Sequence, residues 1–445
     1  MRRVKRQAFL GLALSMALAS PALAAPGDAA SASARIEAVL NKSYPALDRL
    51  YKDLHAHPEV AFQETRSSGI LAERMRKLGF TVTQGVGKTG VVAILRNGEG
   101  PTVLVRADMD ALPMEEKTGL PYASRARQVV GGKETFVMHG CGHDVHMTWW
   151  IGAAEALLAL RDGWSGTLMF IAQPAEEVVG GAKAMLEDGL FTRFPKPDYA
   201  FAAHVSNLPA GQVFLKAGTS SAASDSLEIT FHGRGAHGSM PAASIDPIVI
   251  GAHFVSDVQT VISRQKDPAA FGVLTVGAFQ AGSAANIIPD QSVVRVNLRS
   301  HAPDVRKLLL DGVERTAKAS SQMAEAPAPT LTYLGGTASV INDPALTQRI
   351  AEAFRPVFGE RLTVVPASVP PASASEDFSE FGAAGVPALM IGIGGFSSET
   401  IADYKARNEP LPVNHSPFFA PQPEPSIRTG ATALALAVLE VAGKK

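Results

Sequence analysis

The sequence predicts an α/β protein in which a mostly parallel central sheet, covered by helices on both faces, is interrupted by a smaller inserted domain. Runs of consecutive apolar residues alternate with helical patterns in the first half of the chain, at 90–95, 102–107, 167–172 and 199–203. Continuous apolar strands of this kind are typical of parallel sheets that are buried on both faces. The same alternation returns after about residue 335, so we expect one discontinuous domain at 34–217 and 335–443.

The segment at 218–334 has a different pattern. Alternating apolar residues predict strands at 226–232, 271–282, 291–301 and 330–334, and helical periodicity predicts helices at 246–264 and 303–323. The resulting order, βαββαβ, is that of the ferredoxin-like motif. We therefore predict a self-contained lid domain inserted at 218–334.

The first 24 residues predict a signal peptide and an exported, periplasmic or secreted protein. Four cations lie within residues 1–7, an apolar run follows at 8–19, and the small residues before position 24 are typical of a cleavage site after Ala24. Without these four cations, 37 Lys and Arg face 42 Asp and Glu, a formal charge of −5. Nothing in this balance indicates a nucleic acid, or a membrane after cleavage, as a partner.

Residue types that commonly bind metals are concentrated at 138–146. The stretch reads Met-His-Gly-Cys-Gly-His-Asp-Val-His, and it holds three of the chain's eleven histidines and its only cysteine. A thiolate and an imidazole two positions apart, at Cys141 and His143, suit a borderline-soft metal such as zinc. A single cysteine in an exported protein cannot form an internal disulfide, and metal ligation is one good reason to retain it. The alternative is a helix-start loop with a buried free cysteine, which these residues taken singly would favour.

Acidic residues and a histidine follow three of the predicted strands at the point where each strand ends. After the strands that end at 107, 172 and 203 come Asp108, Asp110, Glu176, Glu177 and His204. In open α/β sheets, sites form outside the carboxyl ends of the strands. The sequence therefore predicts a metal site at one edge of the sheet, beside the loop at 138–146.

These motifs resemble those of the clan MH metallo-amidohydrolases, in the branch that holds hippurate hydrolase, bacterial N-acyl-amino-acid hydrolases and plant indole-acetyl-amino-acid hydrolases. The matching motifs extend over essentially the whole chain beyond residue 24: LHAHPE at 54–59, RADMDALP at 106–113, HGCGHD at 139–144, QPAEE at 173–177, HV at 204–205, GRGAHGSMP at 233–241, NIIP at 286–289, SEDF at 375–378 and NHSP at 414–417. The fold of that family, a di-metal α/β domain with a ferredoxin-like lid, agrees with the predicted pattern.

The resemblance implies two divalent metal ions bridged by Cys141, with zinc favoured and manganese, nickel or cobalt left open. It implies four further protein ligands: His143, Glu177, His204 and His415. It also implies that Glu176 is the general base and that Asp110 orients a ligand histidine. Asp108 stands where more distant clan members have a ligand histidine.

The lid also carries site residues in this resemblance. His237 and Asn286 match groups that bind the substrate's carbonyl oxygen or carboxylate, and Arg299 is a candidate for the carboxylate. Lids of this clan often pair across a dimer, so the resemblance implies a homo-oligomer formed through the lid. His237 would then act on its own subunit or on the partner.

The chemistry that these residues support is amide hydrolysis. Two cations would hold and acidify a water, Glu176 would take its proton, and His237 or Asn286 would support the oxyanion. The resemblance implies small N-acyl amino acids as substrates, often aromatic ones. Two alternatives stay open: a metallo-exopeptidase such as a carboxypeptidase or dipeptidase, and a catalytically silent binding protein on the same fold.

Overall fold

The computed structural model describes residues 27–444, so the predicted signal peptide at 1–24 lies outside the described residues. The strands of this range are, in chain order, β1 (Thr81–Val86), β2 (Gly90–Asn97), β3 (Thr102–Asp108), β4 (Arg127–Val130), β5 (Lys133–Phe136), β6 (Gly166–Gln173), β7 (Tyr199–Pro209), β8 (Val213–Leu215), β9 (Gly218–Thr219), β10 (Ala223–His232), β11 (Ala236–His237), β12 (Gly272–Ala281), β13 (Ile287–Ile288), β14 (Gln291–Ser300), β15 (Thr330–Thr337), β16 (Ile341–Asn342), β17 (Leu362–Val364) and β18 (Ala388–Phe396).

The helices alternate with these strands. They are α1 (Gly27–Ala56), α2 (Thr65–Lys77), α3 (His143–Ala159), α4 (Gly181–Glu187), α5 (Leu190–Arg193), α6 (Pro247–Asp257), α7 (Pro303–Met323), α8 (Pro344–Phe358), α9 (Ser379–Ala383), α10 (Ser398–Ala406) and α11 (Pro423–Ala442). A π-helical turn at Val261–Gln265 follows α6, where the sequence predicts one continuous helix to residue 264. Among the described residues, no helix is both long and apolar enough to cross a membrane.

The central sheet has eight strands in the order β1-β2-β6-β3-β7-β18-β8-β17. Four of its seven strand pairings are parallel, including the three that form its middle, β6–β3, β3–β7 and β7–β18. One face packs against α1, α3 and α11, whose core includes the fully buried Trp149 and Trp150. The other face packs against α4, α5 and α9 through residues such as Met185 and Phe381. The predicted α/β class with a mostly parallel sheet is confirmed.

The inserted segment forms a separate four-stranded antiparallel sheet in the order β12-β14-β10-β15. Helices α6 and α7 cover one face of it, around Phe231, Phe254 and Leu309. This order and the βαββαβ connection are those of the ferredoxin-like motif, as predicted. The chain enters and leaves the insert side by side, because β9 pairs with β16. The division at 218 and 334 stays a prediction, and β15 continues beyond it to Thr337.

Other element boundaries also differ from the sequence-based expectation. The sequence predicts helices from about residue 34 to 55 and from 145 to 160, whereas α1 extends back to Gly27, the first described residue, and α3 begins at His143 itself, with Gly142 as its N-cap. Strand β7 runs through His204 to Pro209, where a strand ending at residue 203 was predicted. The reason is that β18 pairs with β7 along its whole length, so that tertiary pairing extends the strand into a polar sequence.

Candidate metal centre and active site

The structure brings all five predicted metal ligands together around Cys141. The ligand atoms of Cys141, His143 and His204 lie within 4.8 Å of one another, and so do those of Cys141, Glu177 and His415. The Sγ of Cys141 is 3.5 Å from Nε2 of His204, and Glu177 Oε2 is 3.2 Å from His415 Nε2. Cys141 is therefore the member that two neighbouring groups of ligands share.

Two of these ligands present buried atoms that have no protein partner. His143 Nε2 and Glu177 Oε1 are inaccessible to solvent and make no hydrogen bond to any described residue. Buried polar atoms are nearly always paired, so a pair of orphans 3.9 Å apart indicates a missing ligand. Sulfur, imidazole and carboxylate donors together suit borderline-soft divalent metals. The residues present thus fit a metal centre.

Hydrogen bonds fix the tautomers of two ligand histidines. His143 Nδ1 lies 2.7 Å from the main-chain carbonyl of Asp110, and His204 Nδ1 lies 2.8 Å from the carbonyl of Val205. A carbonyl only accepts, so each Nδ1 must carry the proton and donate it. In both rings the lone pair is therefore on Nε2, the atom that faces the cluster.

The charge distribution around Cys141 favours a thiolate. Burial and the Glu177 carboxylate oppose ionisation, but the charge of His204 and the close approach of the His143 and His204 rings outweigh them and lower the thiol pKa to about 6. Burial is the largest single influence on His204 and lowers its pKa, but the Cys141 thiolate, Asp108 and Glu376 together raise that pKa to about 9. These opposite shifts are the signature of an ion pair that a metal ion would replace.

Local backbone conformation aims these ligands. Gly142 has φ of 87°, and a Cβ there would lie 2.4 Å from Val205 Cγ1, so only glycine fits between Cys141 and α3. His415 also has a left-handed backbone, with φ of 70°, and its N–H donates to the Gly140 carbonyl at 2.8 Å. A non-glycine residue in this region is uncommon and marks functional sites. The two ligand loops therefore hold each other in place.

Asp110 contacts a ligand histidine chiefly through its backbone, and the orienting role of its carboxylate stays a prediction. Its Oδ1 is 3.5 Å from His143 Nδ1, which is too long for a good hydrogen bond, and the carbonyl of Asp110 makes that contact instead. The carboxylate accepts the main-chain N–H groups of Glu176 and Glu177, at 2.9 and 3.0 Å. One residue thus orients a ligand ring through its backbone and the Glu-Glu turn through its side chain.

Asp108 and His146 are engaged with each other and with the protein. Asp108 Oδ1 accepts from His146 Nδ1 at 2.7 Å, and Oδ2 accepts from Arg106 Nη1 at 2.6 Å. The other nitrogen of His146 accepts the main-chain N–H of Val205 at 2.9 Å. Burial opposes ionisation of Asp108, but His143, Arg106 and His146 hold its pKa well below the usual range. Both oxygens are therefore hydrogen-bonded within the protein, and the ligand atoms of Asp108, His143 and His146 also lie within 4.8 Å of one another.

Glu176 lies directly beside the ligands: its Oε2 is 3.9 Å from His143 Nε2, and the ligand atoms of His143, Glu176 and Glu177 also lie within 4.8 Å of one another. It is 5% exposed, and its carboxylate lies within 4.8 Å of those of Glu376 and Asp377. Burial, then the charges of Glu376 and Glu177, hold the pKa of Glu176 well above its usual range. A carboxyl group with a raised pKa beside a metal centre suits general acid–base chemistry near neutral pH.

The lid residues are not brought to the metal ligands. His237 on β11 and Asn286, next to β13, are neighbours, because Gly238 N–H donates to the Asn286 carbonyl at 2.8 Å. Both side chains are exposed, and neither contacts a predicted ligand. The Arg299 guanidinium reaches nearer to the site, since its Nη1 donates to Ser375 Oγ at 2.8 Å, one residue before Glu376.

Sequence reasoning missed several residues of the site. Arg106 is a wholly buried cation that binds Asp108, Glu376 at 2.8 Å and Asp377 at 3.1 Å. Asn414 donates to the Cys141 carbonyl at 3.2 Å and lies 3.7 Å from Sγ. The only sequence signal for Arg106 and Asn414 is that they lie close to predicted site residues in the chain. A local sequence pattern does not reveal contacts between residues that are 270 or more positions apart.

Comparison with known sequences and structures agrees with this geometry. The profile of peptidase family M20/M25/M40 matches residues 104–438. Hippurate hydrolase of Campylobacter jejuni is 37% identical over 338 residues, covering 75% of this chain and 84% of the relative. Thermostable carboxypeptidase 1 of Saccharolobus solfataricus is 34% identical over 338 residues, covering 75% and 82%.

Two solved structures share the fold over nearly the whole chain. A putative aminohydrolase from methicillin-resistant Staphylococcus aureus is 29% identical with a TM-score of 0.81, covering 92% of this chain and 100% of its own. A Bacillus subtilis protein described as a dinuclear metal-binding peptidase of the M20 family is 27% identical with a TM-score of 0.70, covering 90% and 99%. The predicted hydrolase acting on amide bonds is thereby confirmed, and the chain belongs to peptidase family M20/M25/M40.

Proposed function

We propose that this enzyme hydrolyses the amide bond of N-acyl amino acids with two divalent metal ions in the cluster around Cys141. The observation that carries the proposal is the pair of overlapping ligand groups that share one thiolate, beside a glutamate whose pKa is held high. Zinc is the metal that we favour, because the donor set mixes thiolate and imidazole. Manganese, nickel and cobalt are the other candidates.

Different side chains of the protein have different roles in the proposed reaction. Cys141, His143, Glu177, His204 and His415 would hold the divalent ions, which would supply Lewis acidity to polarise the amide carbonyl and to lower the pKa of a water. Glu176 takes the proton of that water as it attacks and returns it to the leaving amine. Asp110 holds Glu176 in place through its main-chain N–H. No covalent intermediate with the protein is required.

The lid supplies the remaining polar contacts in this proposal. Ser239 N–H donates to His237 Nδ1 at 3.1 Å, so the ring proton is on Nε2, where it can stabilise a developing oxyanion. Asn286 lies beside it. Arg299 is half-buried, and among residues 27–444 its guanidinium has no carboxylate partner, so it is available to the free carboxylate of a substrate.

Apolar side chains at the ligands favour an apolar, and preferably aromatic, acyl group or amino acid. Val178, Val413 and Phe418 are 55%, 60% and 49% exposed, and they flank Glu177 and His415 in the chain. Since Glu177 and His415 are in contact, we assign these three residues, the apolar rim, to the entrance of the metal site on the basis of their exposure and their nearness to the two ligands in the chain. Exposed apolar groups clustered at a polar site indicate a ligand surface.

One assay panel tests the proposal. The metal-reconstituted enzyme should cleave N-benzoyl amino acids with a lower KM than the N-acetyl equivalents, and amides without a free carboxylate should be poor substrates. Phe418→Ser should raise KM for the benzoyl series several-fold and leave the acetyl series nearly unchanged. Met323→Ser, at an exposed apolar position on α7 (61% exposed, against 49% for Phe418), is the control. Faster cleavage of acetyl substrates would contradict the aromatic preference.

The same panel addresses the rival functions. An exopeptidase would cleave dipeptides with a free α-amino group in preference to N-acyl amino acids, and the carboxypeptidase relative keeps this alternative open. A silent binding protein would bind metals and N-acyl amino acids without turnover. The intact Glu176 and complete ligand set favour an enzyme.

We also propose that two copies associate through the lid. Strand β12 pairs on one side only, with β14, and its ten residues carry no charge. Unprotected edge strands of this kind favour pairing with another chain. Sedimentation tests the proposed homo-oligomer. Binding assays test the expected absence of a nucleic-acid or membrane partner, and sequencing the N-terminus of the exported protein tests the predicted export.

A further inference from the structure

Glu64 is a buried carboxylate with no role in the mechanism above, yet it joins three segments that are distant in sequence. It is 0% exposed and lies directly before α2. Its Oε1 accepts the main-chain N–H groups of Phe62 and Ala175, at 2.9 and 2.8 Å. Its Oε2 accepts the hydroxyl of Thr89 at 2.5 Å. No cation neutralises this side chain among residues 27–444, so these hydrogen bonds are its compensation for burial.

Each of the three segments contains a non-glycine residue in the left-handed region at its contact with Glu64. Phe62 has φ of 60°, Lys88, next to Thr89, has φ of 81°, and Ala175 has φ of 51°. Such conformations cost about 1–3 kcal/mol each and persist only where the surroundings determine them. Three of the seven non-glycine residues with positive φ in the described chain thus meet at one carboxylate. This indicates that Glu64 determines the local backbone.

The third segment is the turn that carries the base and a metal ligand. Following Ala175, the N–H groups of Glu176 and Glu177 both donate to the Asp110 carboxylate. Three consecutive main-chain N–H groups are therefore held by two buried carboxylates. The turn closes tightly after them, because a Cβ at Gly181 would lie 1.5 Å from the Pro174 carbonyl oxygen.

We infer that Glu64 is a positioning residue: with Asp110 it fixes the Ala175–Glu177 turn and so sets the direction of Glu176 and the metal affinity of Glu177. The part that concerns Glu176 rests on the function proposed above, whereas the part that concerns metal affinity does not. Groups that orient a metal ligand from behind typically contribute about 10–100-fold in affinity or activity.

The test compares Glu64→Ala with Glu64→Gln. The alanine variant leaves the Ala175 N–H without its acceptor, so we expect metal affinity to fall about 10–100-fold and kcat to fall as well. In the glutamine variant the amide oxygen still accepts from Phe62 and Ala175, while its NH₂ faces the Thr89 hydroxyl, which can accept. We therefore expect Glu64→Gln to retain most of the wild-type affinity.

Glu59 provides a matched control. It is also a buried glutamate at the start of α2 that accepts two main-chain N–H groups, from Arg66 at 2.9 Å and Ser67 at 2.7 Å, but its side chain does not reach the Glu176 turn. Glu59→Ala should lower the melting temperature without changing metal affinity. If Glu59→Ala and Glu64→Ala lose metal affinity equally, Glu64 only stabilises the fold in general, and the inference is overturned.

Metal affinity is measured by titrating Co²⁺ into the apoprotein and following the thiolate-to-cobalt absorption, with circular dichroism to establish folding. This readout needs no substrate, so a wild type that cleaves no N-acyl amino acid contradicts the proposed function while the Glu64 test still stands. If Glu64→Ala does not fold, Thr89→Val tests the inference instead, since it removes only one of the three hydrogen-bond donors to the Glu64 carboxylate. A smaller loss of Co²⁺ affinity in Thr89→Val supports the inference, and unchanged affinity in a folded variant contradicts it.

Discussion

The ligand loops of the catalytic domain and the ribbon formed by β11 and β13 on the lid both carry site residues, but they hold them in opposite ways. Cys141, His143 and Glu176 are buried, and hydrogen bonds from residues distant in sequence fix the rings or the backbone around them. His237 and Asn286 are exposed, and their hydrogen bonds stay within this ribbon and the residues directly beside it. The candidate metal centre is thus preorganised by its own domain, whereas the proposed oxyanion donors depend on where the lid lies.

The connections of the lid explain this difference. The insert joins the catalytic domain through two short strands, β9 and β16, and through side chains such as Arg299 that touch the loop before Glu376. Such a narrow connection allows the lid to move as a body while the central sheet stays fixed. If closure of the lid completes the active site, a hydrolase needs a rigid metal centre and an oxyanion donor that can move with the lid.

The strongest test of preorganisation separates the adjacent glutamates. Glu176→Gln should lower kcat about 10²–10⁴-fold, the usual contribution of a general base, while both metals stay bound. Glu177→Gln should lose metal, because its Oε1 is a buried orphan that only a ligand satisfies. Metal analysis and kcat, measured on the same preparations, decide the roles.

Two outcomes would change this assignment. If Glu176→Gln empties the centre and Glu177→Gln leaves it full, the two glutamates have exchanged roles. If neither substitution changes turnover or metal content, the proposed mechanism is wrong.

The second test concerns the thiolate that both ligand groups share. Cys141→Ala should lower metal content and activity together, because the two groups overlap only at this residue. Elemental analysis of the folded variant is the measurement, and full metal occupancy would contradict the bridging role. Asn414→Ala is the matched control: it removes a donor 3.7 Å from the sulfur and keeps every ligand, so its loss should be smaller.

Much of this centre could be predicted from sequence, and the missing parts have a common cause. Apolar strands followed by Asp, Glu and His predict a sheet edge with a metal site, since parallel strands end on the same side. The resemblance added His415, which no local pattern linked to Cys141. Arg106 and Glu64 were missed because their importance lies in partners 100 or more residues away, which depend on the assembled fold.

Asp110 illustrates a different limit of sequence. The resemblance implied that its carboxylate orients a ligand histidine, whereas in the structure the carbonyl makes the short contact to the ring and the carboxylate binds the Glu-Glu turn. The lid shows the same limit on a larger scale: the strand order predicted its fold, and two short β segments place His237 beside Asn286. The position of the lid during the proposed reaction is not encoded in any local pattern.

The last and smallest expected effect tests the lid side of the comparison. His237→Ala should lower kcat about 10²–10³-fold, as removal of an oxyanion donor usually does, while metal content is unchanged because the ring contacts no ligand. His232→Ala is the matched control, a lid histidine that bonds Thr330 and should leave kcat unchanged. Mixing His237→Ala with Glu176→Gln subunits extends the test: recovered activity places the histidine and the base of one site on different subunits, and no recovery places them on the same subunit. If His237→Ala alone turns over at the wild-type rate, the exposed ribbon has no part in the chemistry, and the preorganised centre must supply its own oxyanion donor.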